Sequence, residues 1–343
     1  METEALLATL REGTLSRDAA QALTLGELTA RNASGNTAIH SAAKYGRLRD
    51  LSPSALSAGL LTLKNDSGYT PLHHLALNGH LYQLPPGLLS RNDYLVRSNS
   101  GYTPLHSAAA GGFLDQIPAS VGVLDYDMAL LRTDLGNTLA HEAAEAGTLD
   151  RLPAAILTEE HLLERNLSGE TVFHVAALNG HLVQIPSSLL TPAALLLTTK
   201  AGDTVLHAAA ISSHLGQIPP ALLVHDNLLL KSKAGYTVIH AAAETGQLEK
   251  IPADNLTLDL LLTLNDHGDT PLHAAAHEGH LDQIPDDLLT AVSLSTRNYE
   301  GVTPLQNAVR RGHAGQLPAA LRPKPPGPFK RALIRLGFSR SPF

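Results

Sequence analysis

Apolar and polar positions along this chain follow a pattern that returns at a fixed interval. A Gly followed two residues later by Thr stands at Gly35, Gly68, Gly101, Gly136, Gly169, Gly202, Gly235, Gly268 and Gly301. Seven of the eight spacings are 33 residues, and the step from Gly101 to Gly136 is 35. From each marker the chain reads approximately G-x-T-x-L-H-x-A-A-x-x-G-H-L-x-Q-I-P-x-x-L-L, then a variable stretch with another Leu pair, then a polar turn. Nine repeats are visible, and Gly13-Thr14-Leu15 stands 33 residues before Gly46-Arg47-Leu48, so residues 1–34 read as a degenerate half-repeat capping the stack. The two extra residues of the long repeat are expected in the segment Ala119–Leu130, where a loop absorbs them.

The clearest repeat runs from Gly268 to Leu289. Thr270 suits an N-cap, because its hydroxyl can accept a free N–H of the first turn, and Pro271 suits the first helical position, where a missing N–H costs nothing. Leu272, Ala275 and Ala276 follow at helical spacing and present a narrow face that lets neighbouring helices approach closely. Gly279 then tolerates the left-handed conformation that ends a helix. Seventeen residues after each marker from Gly68 onward stands a Pro, at Pro85, Pro118, Pro153, Pro186, Pro219, Pro252, Pro285 and Pro318. Such a Pro breaks or restarts a helix, and Thr158-Glu159-Glu160 and Thr191-Pro192 look like further caps, so two short helical turns are expected in the second half of each repeat.

The period and the run Thr-Pro-Leu-His, intact at 70–73, 103–106 and 270–273 and varied at Thr204–His207 and Thr237–His240, resemble the ankyrin repeat family. The resemblance covers nearly the whole chain. It implies an all-α solenoid of about nine repeats, a curved stack of helix pairs with projecting loops whose concave side binds protein partners. It also implies that the histidine of the first helix, at His40, His73, His106, His141, His174, His207, His240 and His273, hydrogen-bonds with the capping Thr and the adjacent loop. The second half of each repeat departs from the family, whose second helix runs through without the Pro. The I-P-x-x-L-L…L-x-x-N pattern is similar also to leucine-rich repeats, which leaves a short stacked strand near Leu228–Lys231 as the alternative.

Composition agrees with a helical fold: apolar residues are 43% and aromatic ones 4%, with no Trp, which favours small-on-large helix packing over a sandwich. The absence of Cys excludes a disulfide framework, a thiolate nucleophile and Cys-ligated zinc. The first ten residues carry acids where an export signal needs bases, and no stretch approaches the roughly 18 apolar residues of a spanning helix. A cytoplasmic protein is therefore expected, or alternatively an effector delivered without a classical signal peptide.

Eighteen histidines invite a metal or acid–base reading, but eight occupy one slot of the first helix and five more, His80, His181, His214, His280 and His313, follow the second Gly. A catalytic group occurs once, whereas these are copied from repeat to repeat. His73-His74 point about 100° apart on a helix, and His273 and His277 gain no further ligand beyond Glu278 and His280. With no P-loop, dinucleotide fingerprint, G-x-S-x-G or H-E-x-x-H, no catalytic residue, cofactor or metal is expected. An enzyme with an active site between repeats is the reading from a different class.

Function is expected instead at the positions flanking the marker Gly and just before the helix-ending Gly. They carry Tyr45, Tyr69, Leu77, Asn78, Tyr102, Glu145, Leu178, Asn179, Ile211 and Tyr236, and also Asp203, Glu244, His277, Glu278, Arg310 and Arg311. Tyr45, Tyr69 and Tyr102 fall in neighbouring repeats, and tyrosine offers large contact area at little entropic cost, so the first third is the preferred hot spot. Residues 322–343 hold six Lys or Arg and no acid, so the net charge of −7 leaves a repeat body of residues 35–321, with its 1–34 cap, strongly acidic. That disfavours nucleic acid on the body and is compatible with a basic protein surface. The chain is expected to act as a monomeric, non-enzymatic interaction scaffold, or as an effector or inhibitor of one target. Its Pro-rich basic tail, with a short amphipathic helix at Phe329–Phe338, is expected to cap the stack or to meet an anionic membrane, the acidic body or a partner.

Overall fold

The computed structural model describes residues 3–118, 121 and 126–322. The tail beyond Arg322, including its expected helix, lies outside the described residues. The chain divides into two compact units at Ala194/Leu195. Among the described residues there are 18 α-helical segments and no strand.

The first unit begins with helices Thr3–Glu12, Arg17–Gln21 and Leu25–Thr29, followed by the first helices of five repeats, Ala38–Lys44, Pro71–Leu77, Pro104–Gly111, Leu139–Ala146 and Val172–Asn179. Each of these five touches the next, and Thr3–Glu12 packs on Ala38–Lys44. In the second unit Val205–Ile211, Val238–Glu244, Pro271–Glu278 and Pro304–Arg311 stack in the same manner. Burial explains the motif. The Leu of the Thr-x-Leu-His run (Leu72, Leu105, Leu206, Leu272) and Ala76, Ala108, Ala109, Ala209, Ala275 and Ala276 after them are wholly buried, so large and small side chains interlock between helices.

Most of the first helices start at a Thr in extended conformation and end at a residue in the left-handed region, as Pro104–Gly111 does at Gly112 (φ 74°). One slot departs from Gly. Ser213, after helix Val205–Ile211, holds φ 66°, where its Cβ crowds the backbone. Ser213→Gly should therefore stabilise the second unit by about 0.5–1 kcal/mol, the strain relieved less the freedom Gly gains when unfolded, read as a higher denaturation midpoint at unchanged slope.

The second half of the repeat holds the expected two short helical pieces in the repeats from Gly68, Gly136 and Gly268, and three in those from Gly35, Gly169, Gly202 and Gly235. In the repeat from Gly235 it consists of 3₁₀ turns Leu248–Lys250 and Ala253–Asn255 and helix Leu258–Leu261. The break comes one residue before the Pro, because a proline ring pushes its predecessor out of the helical region. Ile185, Ile218 and Ile251 accordingly sit extended at ψ 132°, 133° and 131°. The alternative strand near Leu228–Lys231 is not formed: Leu228 closes helix His225–Leu228, and Lys231 makes only an isolated bridge to Thr237 in its own hairpin. In the long repeat Pro118 keeps its place, and helix Tyr126–Ala129 starts 25 residues after Gly101 where Pro192–Leu195 starts 23 after Gly169, so the two extra residues lie between 118 and 126. Most of that segment is outside the described residues.

The polar turn is a hairpin closed by its first residue. Asn65 Oδ1 accepts the N–H groups of Ser67 (3.1 Å) and Tyr69 (2.9 Å), and Asn32, Asn166, Asn265 and Asn298 repeat the arrangement. Successive tips are joined by a backbone bond, as from Asn99 N–H to the Ser67 carbonyl (3.0 Å) and from Lys233 N–H to the Ala201 carbonyl (2.8 Å).

Candidate functional site

The histidine ladder is a set of inter-repeat bonds. His73 Nδ1 lies 3.1 Å from the Thr70 backbone N–H and 2.8 Å from its hydroxyl, and Nε2 lies 3.1 Å from the Tyr102 carbonyl in the next hairpin. A carbonyl only accepts, so Nε2 carries the proton and Nδ1 receives both Thr donors. His40, His141, His207, His240 and His273 likewise reach the carbonyl 29 residues on. In the lengthened repeat His106 reaches Leu131 instead (3.1 Å), and His174 bonds its own Thr171. The role implied by the family resemblance thus matches these bonds. Burial lowers the pKa of His40, His73, His106, His141 and His240 to about 4 and lowers His207 and His273 too, so these seven are neutral at ordinary pH.

A second ladder, unread from the sequence, runs the other way. Gln83 accepts the Leu48 N–H (3.1 Å) and donates to the Gly46 carbonyl (3.0 Å), and Gln184, Gln283 and Gln316 hold the preceding repeat identically. Where Lys250 fills the glutamine slot, Gln247 three residues earlier accepts the Leu215 N–H (2.7 Å) in its stead. The recurring Q-I-P was the visible signal, but its partner lies 35–37 residues away and no local pattern reveals it.

With the histidine ladder buried and the glutamines buried or half-buried, the variable face consists of the residue after each marker Gly and the end of each first helix. In the first unit Tyr69 packs edge-on against His73 (5.2 Å between ring centres), with Tyr102 at 6.3 Å. The Tyr102 hydroxyl donates to Glu142 (2.7 Å), which also accepts from Asn137 (3.0 Å). Glu142 is 3% exposed and burial raises its pKa. The structure brings Tyr69 and Tyr102 together but half-buries both. Tyr45, 37% exposed, lines a separate cavity of about 400 Å³ with Glu4, Arg11, Lys44 and His74. Leu77 is 43% exposed; Asn78 spends its amide on the His74 carbonyl (2.8 Å) and Asn179 on Val175 (2.9 Å). Glu145 is exposed and Leu178 half-buried.

In the second unit Ile211 is 49% exposed. A groove of about 720 Å³ is lined by Asp203, Tyr236, Glu244, Asp269, His277 and Glu278 among others. The Tyr236 hydroxyl donates to Glu244, Asn298 donates to Asp269 (2.7 Å), and His277 Nδ1 lies 2.5 Å from Glu278. Burial, the bond to Glu244 and the charges of Glu244, Asp269 and Glu278 all raise the Tyr236 pKa, and all three carboxylates line the groove with its ring. Adjoining cavities hold Arg310, Arg311, Tyr299 and Glu300. Among the described residues no three or more His, Asp or Glu are grouped to hold a metal ion, and no helix is long and apolar enough to cross a membrane.

No curated protein matches the chain. Residues 267–293 match the family model described as Ankyrin repeat. That stretch includes the capping Thr270, the His273 bond to the next hairpin and the Gln283 bond to the preceding repeat, all of which recur along both units. The repeat that contains residues 267–293 thus matches the ankyrin repeat model, and the other 33-residue units are similar to it in period, capping Thr and histidine bond.

Proposed function

We propose that the chain binds another protein, without catalysis, through the face made by the residues after the marker Gly and the ends of the first helices. Ankyrin repeats as a family mediate protein–protein binding. The observation that carries the reading here is the contrast along one register. The skeleton residues repeat and are buried, while Tyr45, Leu77 and Ile211, all beside the helix-ending turn, differ from one another and leave apolar surface in water. A monomer in the cytoplasm, serving as a scaffold for a partner with a basic surface, fits the acidic body. Affinity capture from an extract of the source cells tests this. Leu77→Asp in the first unit or Ile211→Asp in the second should weaken a captured protein by about 30-fold, the loss expected of one hot-spot side chain, at unchanged melting temperature. Capture indifferent to both changes and to Tyr45→Ala would remove the face from the proposal.

A further inference from the structure

We propose that the groove around Tyr236 in the second unit holds the chain's own basic segment, residues 323–343. The groove is walled by a ring and carboxylates: Tyr236 and Asp269 from the hairpins, Glu244 and Glu278 from the ends of first helices. Glu244, Asp269 and Glu278 bond to Tyr236, Asn298 and His277 rather than directly to a Lys or Arg among the described residues; Lys233 also lines the groove and Arg311 bonds His277 Nε2, so the negative charge is offset only in part. A ring beside carboxylates with no direct Lys or Arg partner is a seat for Lys or Arg, which gain from both the ring face and the charge. Arg310 and Arg311 line the adjoining cavity, which directs a basic ligand to the Tyr236 end.

The occupant is argued from charge and reach. The segment carries Lys324, Lys330, Arg331, Arg335 and Arg340 and no acid. It follows Arg322, whose Nε donates to the Leu317 carbonyl (2.8 Å) and so ties the preceding residue to the last repeat. Its 21 residues can span at most about 70 Å when extended, ample for a groove only three hairpins long. A tethered segment is presented at an effective concentration of about 1 mM, so modest attraction suffices where a separate basic protein would need far more. The inference rests on the reading of this face as the binding face, and a partner would then have to displace the segment.

Carbodiimide coupling of the full chain, which joins a Lys amine to a carboxylate in contact with it, followed by peptide mass spectrometry, tests the proposal. Links from Lys324 or Lys330 to Glu244, Asp269 or Glu278 are expected. They should stay within one chain in a mixture of light and ¹⁵N-labelled protein, and should fall about tenfold between about 0.02 and 0.5 M salt. In the variant Glu244→Gln, Asp269→Asn, Glu278→Gln, tryptic cleavage after Arg331 and Arg335 should accelerate at unchanged melting temperature. Links that are absent, only between chains, or spread evenly over other exposed carboxylates such as Glu145 would overturn it, as would co-sedimentation with anionic vesicles unaffected by neutralising the groove. If the segment proves free while capture still depends on Leu77 or Ile211, self-docking is wrong and the binding face stands.

Discussion

Acidification from pH 6.5 towards pH 4 should unfold the first unit before the second. His40, His73, His106 and His141 lie in the first unit with pKa lowered from 6.5 to about 4 by burial, and of the second unit's histidines His240 reaches the same value. Below pH 6.5 the unfolded chain takes up protons that the folded chain refuses. Stability is therefore full above pH 6.5 and is lost as the pH falls towards the folded value. At pH 5 each such group has withdrawn about 2 kcal/mol, and four together about 8 kcal/mol, comparable with the whole stability of an ordinary domain. Melting curves by circular dichroism at half-unit steps from pH 7.5 to 4.5 should show the transition splitting, with the lower step moving faster. His73→Gln should flatten the pH dependence by one group's share, since Gln306 already makes the same cap, accepting the Thr303 N–H at 3.0 Å. A melting temperature constant across that window would refute a buried neutral ladder.

Two glycines in the first unit should respond to the same methyl group with opposite signs. Gly111 closes helix Pro104–Gly111, and a Cβ there would meet the Leu77 carbonyl oxygen at 2.2 Å and the Phe113 ring at 2.8 Å. The carbonyl belongs to the backbone of the adjacent helix, so the two helices must part. Gly111→Ala should cost on the order of 3 kcal/mol. Gly59, within helix Ala58–Leu61, has nothing within 4 Å of its would-be Cβ. There Gly59→Ala should add about 0.5–1 kcal/mol through helix propensity alone. Chemical denaturation of both variants measures the difference, and a neutral Gly111→Ala would mean that the helices pack less closely than the structure has them.

What could be read from the sequence was what acts within a few residues. Thr270, Pro271 and Gly279 mark the first helix because capping, proline and left-handed geometry are local rules, and the helix indeed runs Pro271–Glu278. The Pro in the second half likewise announced a break, though its steric effect on the preceding Ile moved the break one residue earlier. What acts across a repeat stayed hidden. The glutamine bonds, the buried Glu142 and the three carboxylates lining one groove with Tyr236 depend on residues from different repeats meeting. The three tyrosines looked equivalent by register, yet Tyr69 and Tyr102 spend their rings and hydroxyl on packing while Tyr45 stays exposed, a difference set by what stands beside each.

The two ladders also constrain how the length of such a chain can change. Most repeats reach forward with a histidine N–H, several reach backward with a glutamine amide, and neighbours are joined at the hairpin tip. Removing or adding one whole period brings every donor to an acceptor of the same kind. Any other number of residues within the bonded part sets all three bonds facing the wrong atoms at once, leaving buried polar groups unmatched. The fold thus works as a length filter that passes whole repeats and rejects fractions. The two extra residues between 118 and 126 fall after Pro118, where no bonded residue of either ladder stands: the tip bond from Asp134 N–H to the Ser100 carbonyl persists (3.0 Å), and His106 takes the Leu131 carbonyl instead of one in the next hairpin.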